Sequence, residues 1–407
     1  MSLTIWQFST RFRKHAFGWR SQVPIQRIKE ALTEIRKVAR TDPILAAQGA
    51  VLFLEKISPS LEHVDSSSGA IGSTVNHAIT TLVPIISQAI VSTKERQSWL
   101  ERLWKALQND NMPYIEYLGD FWGELCVTPE IAFYWSDQLI ETVIMAWTDK
   151  ETGHGFFKGT TACLSALLSA QRYQELLTLL EKAPFKWWYD RHWGVKALVA
   201  LGKLEETLQY AENSKGLNEP RAEIAKTCED ILLSLELVEE AYKTYALEAH
   251  QCMTHLNTFR AIAKKYPDKS ALVILQDLIK SQPGSEGKWF ATAKTAQFFD
   301  LAIELISHHP ADPKTLTRAA KDFSEKNPPF AIASGMASLH WIIEGYGYEI
   351  SNMDIITAYS AILKATEISG QSIATMKTKI DELLSGEKPN TQLVKKALMP
   401  YLKEGEL

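Results

Sequence analysis

From Gln22 to Arg40 the apolar residues fall at Val23, Ile25, Ile28, Leu32, Ile35 and Val38, the three-and-four spacing of one helix face. Asp42-Pro43 restarts the chain, because proline suits a first helical turn, and a second helix is predicted over Ile44–Ile57. The polar run from Ser58-Pro59-Ser60 to Ser66-Ser67-Ser68-Gly69 predicts a loop. Further helices are predicted over 73–91, 94–108, 113–125 and 129–148, with Ser92-Thr93 and Thr128-Pro129 as N-cap chemistry. Period-two alternation between glycine turns is absent, so no sheet is predicted.

Beyond Leu164 the pattern becomes a repeat. Its clearest copies are Arg172-Tyr173-Gln174-Glu175-Leu176-Leu177, Lys203-Leu204-Glu205-Glu206-Thr207-Leu208 and Leu237-Val238-Glu239-Glu240-Ala241-Tyr242. Fainter ones start at Pro267, Phe298 and Pro328. Marks at Leu176, Thr207, Ala241, Ala271, Ala302 and Ala331 are separated by 31, 34, 30, 31 and 29 residues. A period in that range means stacked two-helix units, which bury their apolar stripes only against neighbours. The segment Asp149–Gly155 reads as the boundary before the array. After Tyr346, helices are predicted over 354–367, 373–384 and 390–402, a charged tail fit to cap the stack.

These residues resemble the tetratricopeptide-repeat family over about 190 of the 407 residues. The strongest stretch runs from Val195 through Gly202-Lys203-Leu204-Glu205-Glu206 to Glu212, with Gly202 at the turn between helices. The chain is a divergent member of that pattern: the other turns carry Gln171, Glu236, Tyr266 or Gln297 where the family has glycine. The expected fold is all-α, a superhelical array of antiparallel helix pairs between an N-terminal helical block and a C-terminal helical cap. The expected domains are 1–155, 156–345 and 346–407.

Composition changes this picture little. An apolar fraction of 45% and a charged fraction of 23% are ordinary for a soluble chain. The net charge of −4 gives no global basic footprint of the kind nucleic-acid binders often carry. Four scattered cysteines do not make a disulfide framework, and no run of eighteen apolar residues predicts a membrane span. Met1–Arg20 mixes aromatic and basic residues without an acid, unlike a secretory signal; the expectation is a cytoplasmic protein rather than one with a transit peptide.

The resemblance implies that the first helix of each pair lines a concave groove. Aligned on the small residue, that surface receives Tyr189, His192, Lys196, Lys226, Arg260, Lys264 and Lys294, a ladder of cations suited to carboxylates or phosphates. The cluster from Phe185 to Trp193, with Trp188, Tyr189 and Arg191, has the aromatic and arginine content of a binding anchor. His250, Cys252 and His255 lack a fourth ligand, so the expectation there is a buried thiol with surface histidines and no metal. Phosphate loops, dinucleotide glycine motifs and nucleophile elbows are absent, and no cofactor is expected. The sequence therefore points to a non-enzymatic scaffold or adaptor, a subunit of a larger complex, that binds an acidic or extended segment of another protein. The alternative partner is nucleic acid, held by the same ladder and the basic aromatic N-terminal arm.

Overall fold

The computed structural model describes residues 6–148, 155–216 and 218–402. Among them are twenty-two α-helices, two 3₁₀ turns and no strand. Residues 149–154, where the sequence placed its first domain boundary, lie outside the described residues. The chain packs as two compact units, Met1–Ile231 and Leu232–Leu407.

In the first unit the helices Gln22–Ala39, Pro43–Leu61, Ala70–Ser87, Thr93–Gln108 and Pro129–Thr148 stand close to their predicted positions. Their starts use the expected chemistry. The Asp42 carboxylate accepts from Leu45 N–H at 2.9 Å, and Ser92 Oγ from Glu95 N–H at 3.2 Å. Two expectations fail. The loop predicted from Ser58 begins only after Leu61, because Ile57, Ser58, Ser60 and Leu61 are buried and keep the last helical turn in place despite Pro59. The helix predicted over 113–125 is instead a 3₁₀ turn, Glu116–Phe121, followed by the short helix Trp122–Cys126. Gly119 and Gly123 there allow close approach: a Cβ at Gly123 would come within 2.5 Å of the Ser165 carbonyl oxygen.

The N-terminal arm docks on its own unit. Trp6, Phe8, Phe12 and Phe17 are buried, and the Phe12 ring meets Phe53 edge-on at 5.0 Å. The Glu34 carboxylate accepts from Gln7 N–H at 2.8 Å and Phe8 N–H at 3.2 Å, holding the short helix Gln7–Arg11. Arg11 pairs with Glu30 at 2.6 Å. The helix Pro43–Leu61 has the length and apolarity to cross a bilayer, but Ala46, Ala50, Phe53, Leu54 and Ile57 place it in the unit's core.

Adjacent helices then pack in pairs, 160–169 with 173–180, 188–200 with 204–212, 255–265 with 271–280, 290–295 with 299–308, and 313–323 with 328–343, with the helices 221–234 and 238–249 lying between the second and third of these pairs in the chain. Four of the links between successive helices share one turn. Gln171, Gly202, Glu236 and Gln297 all have φ between 58° and 72°. The next amide in each case reaches back five residues, as in Arg172 N–H to Leu167 O and Lys203 N–H to Leu198 O. This is the left-handed helix stop that glycine adopts most readily, here made three times by Gln or Glu.

The marked positions Leu176, Thr207, Ala241, Ala302 and Ala331 are fully buried. Ala271 is only half-buried; Ile274, Leu275 and Leu278 form the buried face of its helix instead. One core runs from Trp6 through Leu164, Leu176 and Trp193 to Ala197, so the first two pairs are continuous with the N-terminal helices. The second unit has one core around Trp289, Phe290 and Phe330, and another where Ile342 and Ile343 meet the C-terminal helices Asn352–Ile368, Ile373–Leu384 and Thr391–Leu402.

Candidate functional site

The helix Trp188–Ala200 carries the densest chemistry in the first unit. Its first turn is fixed by Glu219, whose carboxylate accepts from Trp188 N–H at 2.8 Å. Spacings of three and four then put Tyr189, His192 and Lys196 along one stripe. Opposite them stands the 3₁₀ turn Glu116–Phe121, bringing Tyr117, Asp120 and Phe121. Between them lies a cleft of about 660 Å³, also walled by Trp187 and Trp188 and bordered by Glu219 and Glu223.

Electrostatics in the cleft differ from a plain row of cations. The Lys196 ammonium lies 4.0 Å from the centre of the Trp193 ring. Desolvation lowers its pKa, and the nearby Asp120 acts the other way. Asp120 is pushed up to about 6 by burial, with Lys196 opposing, and its Oδ2 has no hydrogen-bond partner. His192 is pushed down to about 4 by burial and by Lys196, so it is neutral at physiological pH. The Tyr189 hydroxyl accepts from Thr161 Oγ1 at 3.1 Å, and burial pushes its pKa up to about 12. The cleft thus offers one ammonium, three carboxylates, a neutral imidazole and several aromatic faces.

The predicted site residues divide clearly. Trp188, Tyr189, His192 and Lys196 line the cleft together. Arg191 does not: it is buried, its Nε donates to Ser214 Oγ at 2.6 Å, and its guanidinium stacks 3.8 Å from the Tyr210 ring centre. Lys226 is exposed on the helix Arg221–Ser234, away from the cleft lining. Arg260 and Lys264 are exposed, one turn apart on His255–Lys265, and Lys294 is half-buried on Phe290–Thr295. All three belong to the second unit, and none lines the cavity of about 760 Å³ there beside His255, Glu286 and His309.

Cys252 is exposed rather than buried, because it lies in the irregular link before Thr254 caps the next helix. Among the described residues no group of three His, Cys, Asp or Glu side chains is placed to hold a metal. Sequence reasoning missed Tyr117, Asp120, Phe121, Glu219 and Glu223. The Tyr117-x-x-Asp120-Phe121 spacing is too short a pattern to announce a site. No protein-family model matches the chain, and no curated protein matches it in sequence.

Proposed function

We propose that this chain is a non-enzymatic interaction protein built on tetratricopeptide-like antiparallel helix pairs, and that it binds an extended segment of another protein. The observation that carries the reading is the aromatic-walled cleft of about 660 Å³ against the helix Trp188–Ala200. Aromatic side chains with few rotatable bonds, half-exposed around a polar floor, are the usual anchors of protein recognition. Because Lys196 stands beside Asp120, with Glu219 and Glu223 at the border, the cleft suits a segment of mixed charge better than a purely acidic tail. Nucleic acid is the less favoured partner: the arm's Trp6, Phe8, Phe12 and Phe17 are buried, which leaves Trp19 as its one exposed tryptophan or phenylalanine ring among the described residues to stack on a base.

Native purification after nuclease treatment, with identification of what co-purifies, tests this. The partner should be retained by the wild type and lost from Tyr117→Ala/Trp187→Ala, both substitutions removing exposed rings and leaving the circular dichroism spectrum unchanged. Charge reversal at Lys196, Lys226 and Arg260 together should also abolish the association if the wider ladder contributes. A partner retained by the ring variant removes the cleft from the interface. A partner lost on nuclease treatment, with binding that falls steeply with salt, replaces the protein reading with the nucleic-acid one.

A further inference from the structure

On the other side of Trp187 and Tyr189 lies a second, smaller cavity of about 110 Å³. Two acidic residues line it, Glu116 and Asp190, together with Trp147, Phe157, Trp187 and Tyr189. Asp190 is only 8% exposed, and its carboxylate has no hydrogen-bond or ion-pair partner among the described residues. Its place in the first turn of Trp188–Ala200 weakly favours an acid through the helix dipole. It caps nothing, however: the amides of Asp190 and Arg191 bond to Trp187 O, and that of Trp188 bonds to Glu219.

The nearest basic side chain in the lining, Lys158, is committed elsewhere, its ammonium donating to the carbonyls of Asp110 and Gln108. Burial is accordingly the one cause that raises the Asp190 pKa. Glu116 is raised as well, by burial first and then by Asp110, with Lys158 opposing. A buried, unpaired carboxylate is costly unless a cation comes to it.

We infer that this cavity is a receptor for an alkylammonium headgroup, held by Asp190 and Glu116 and enclosed by the four aromatic rings. Aromatic faces attract quaternary and alkylated ammonium through their quadrupole, most strongly when water is excluded. The cavity's size fits a headgroup and not a whole small molecule. This site stands apart from the cleft reading: Asp190 and Glu116 do not line the cleft, and Lys196 and Asp120 do not line the cavity.

Titration of the full chain with tetramethylammonium chloride at constant ionic strength, followed by ligand-observed NMR and calorimetry, tests the site. Saturable one-to-one binding is expected, weakened at least tenfold in Asp190→Asn and several-fold in Glu116→Gln, and unchanged in Lys196→Ala. Melting curves establish that each variant is folded. A trimethyl-lysine peptide binding more tightly than choline assigns the headgroup to a partner's side chain; the reverse order assigns it to a free amine. Absence of saturable binding overturns the proposal. So does equal affinity in Asp190→Asn, or equal binding of neutral tert-butanol, which would make the cavity merely apolar.

Discussion

At the scale of single residues, three exposed side chains hold the backbone where glycine belongs. Gln171, Glu236 and Gln297 adopt left-handed φ, which costs a non-glycine residue about 1–2 kcal/mol. Glycine would return about 0.4–1 kcal/mol of that through its larger unfolded entropy. The steric term wins, so each of Gln171→Gly, Glu236→Gly and Gln297→Gly should stabilise the chain by about 0.5–1 kcal/mol in denaturant melts. Gly202→Ala should destabilise by about 1 kcal/mol, purely through the backbone, since a Cβ there meets nothing within 4 Å.

Asp190 gives a second residue-scale expectation. Burial raises its folded pKa to about 6, above the ordinary carboxyl value of 3.8, so the protonated form is the one folding favours. Its stabilising contribution is fully present below the unfolded value and is lost as pH rises through about 6. Asp190→Asn should therefore melt higher than wild type at pH 7.5, by up to about 3 kcal/mol, with the gap closing by pH 4. A gap that does not change with pH would mean the carboxylate is not the source.

At the scale of elements, periodicity located nearly every helix, and the misses have local causes. The helix Pro43–Leu61 outlasts its proline because the four residues around it are buried; sequence counts the missing amide but not the packing that offsets it. The stretch from Pro113 has helical composition, yet Gly119 and Gly123 sit under the helix Thr160–Ser169 and the chain tightens to 3₁₀ there. The site shows the same division. Tyr189, His192 and Lys196 share a stripe because helical spacing alone aligns them, whereas Trp188 stood out only as part of the aromatic run from Phe185 to Trp193. Arg191, next to His192, points about a quarter-turn away and goes to Ser214 and Tyr210.

In the second unit, Phe330 lies in the first turn of the helix Pro328–Ile343 and touches Phe290, Phe299 and Phe323, with ring centres 4.9 to 5.9 Å apart. Phe330→Ala should cost about 3–5 kcal/mol. Hydrogen exchange should report it as lost protection in the pairs 290–295 with 299–308 and 313–323 with 328–343. Normal protection there would mean the four rings do not hold those pairs together.

At the scale of the whole molecule, adjacent helices pack on one another within each of the two compact units. Each unit contains its own core, the first gathering the N-terminal arm, the N-terminal helices and the first two pairs around residues such as Trp122, Leu167 and Trp193. Gly49 shows how closely the arm is held: a Cβ there would come within 2.2 Å of the Trp6 indole. Gly49→Ala should therefore expel the indole and destabilise the chain by about 1–3 kcal/mol, read as a lower melting temperature and a red-shifted tryptophan emission.

The sequence by itself determined the all-helical class, the packing of adjacent helices, the turns at Gln171, Gly202, Glu236 and Gln297, and the stripe of Tyr189, His192 and Lys196 on one helix. Each of these depends on spacings of three, four or about thirty residues, which a linear chain displays directly. Tertiary structure alone decided that Asp120 comes near Lys196, that Asp190 has no partner among the described residues, and that Trp6, Phe8, Phe12 and Phe17 are core. Burial and unpaired charge arise only when segments far apart in the chain come together, and no local pattern records which of them will meet.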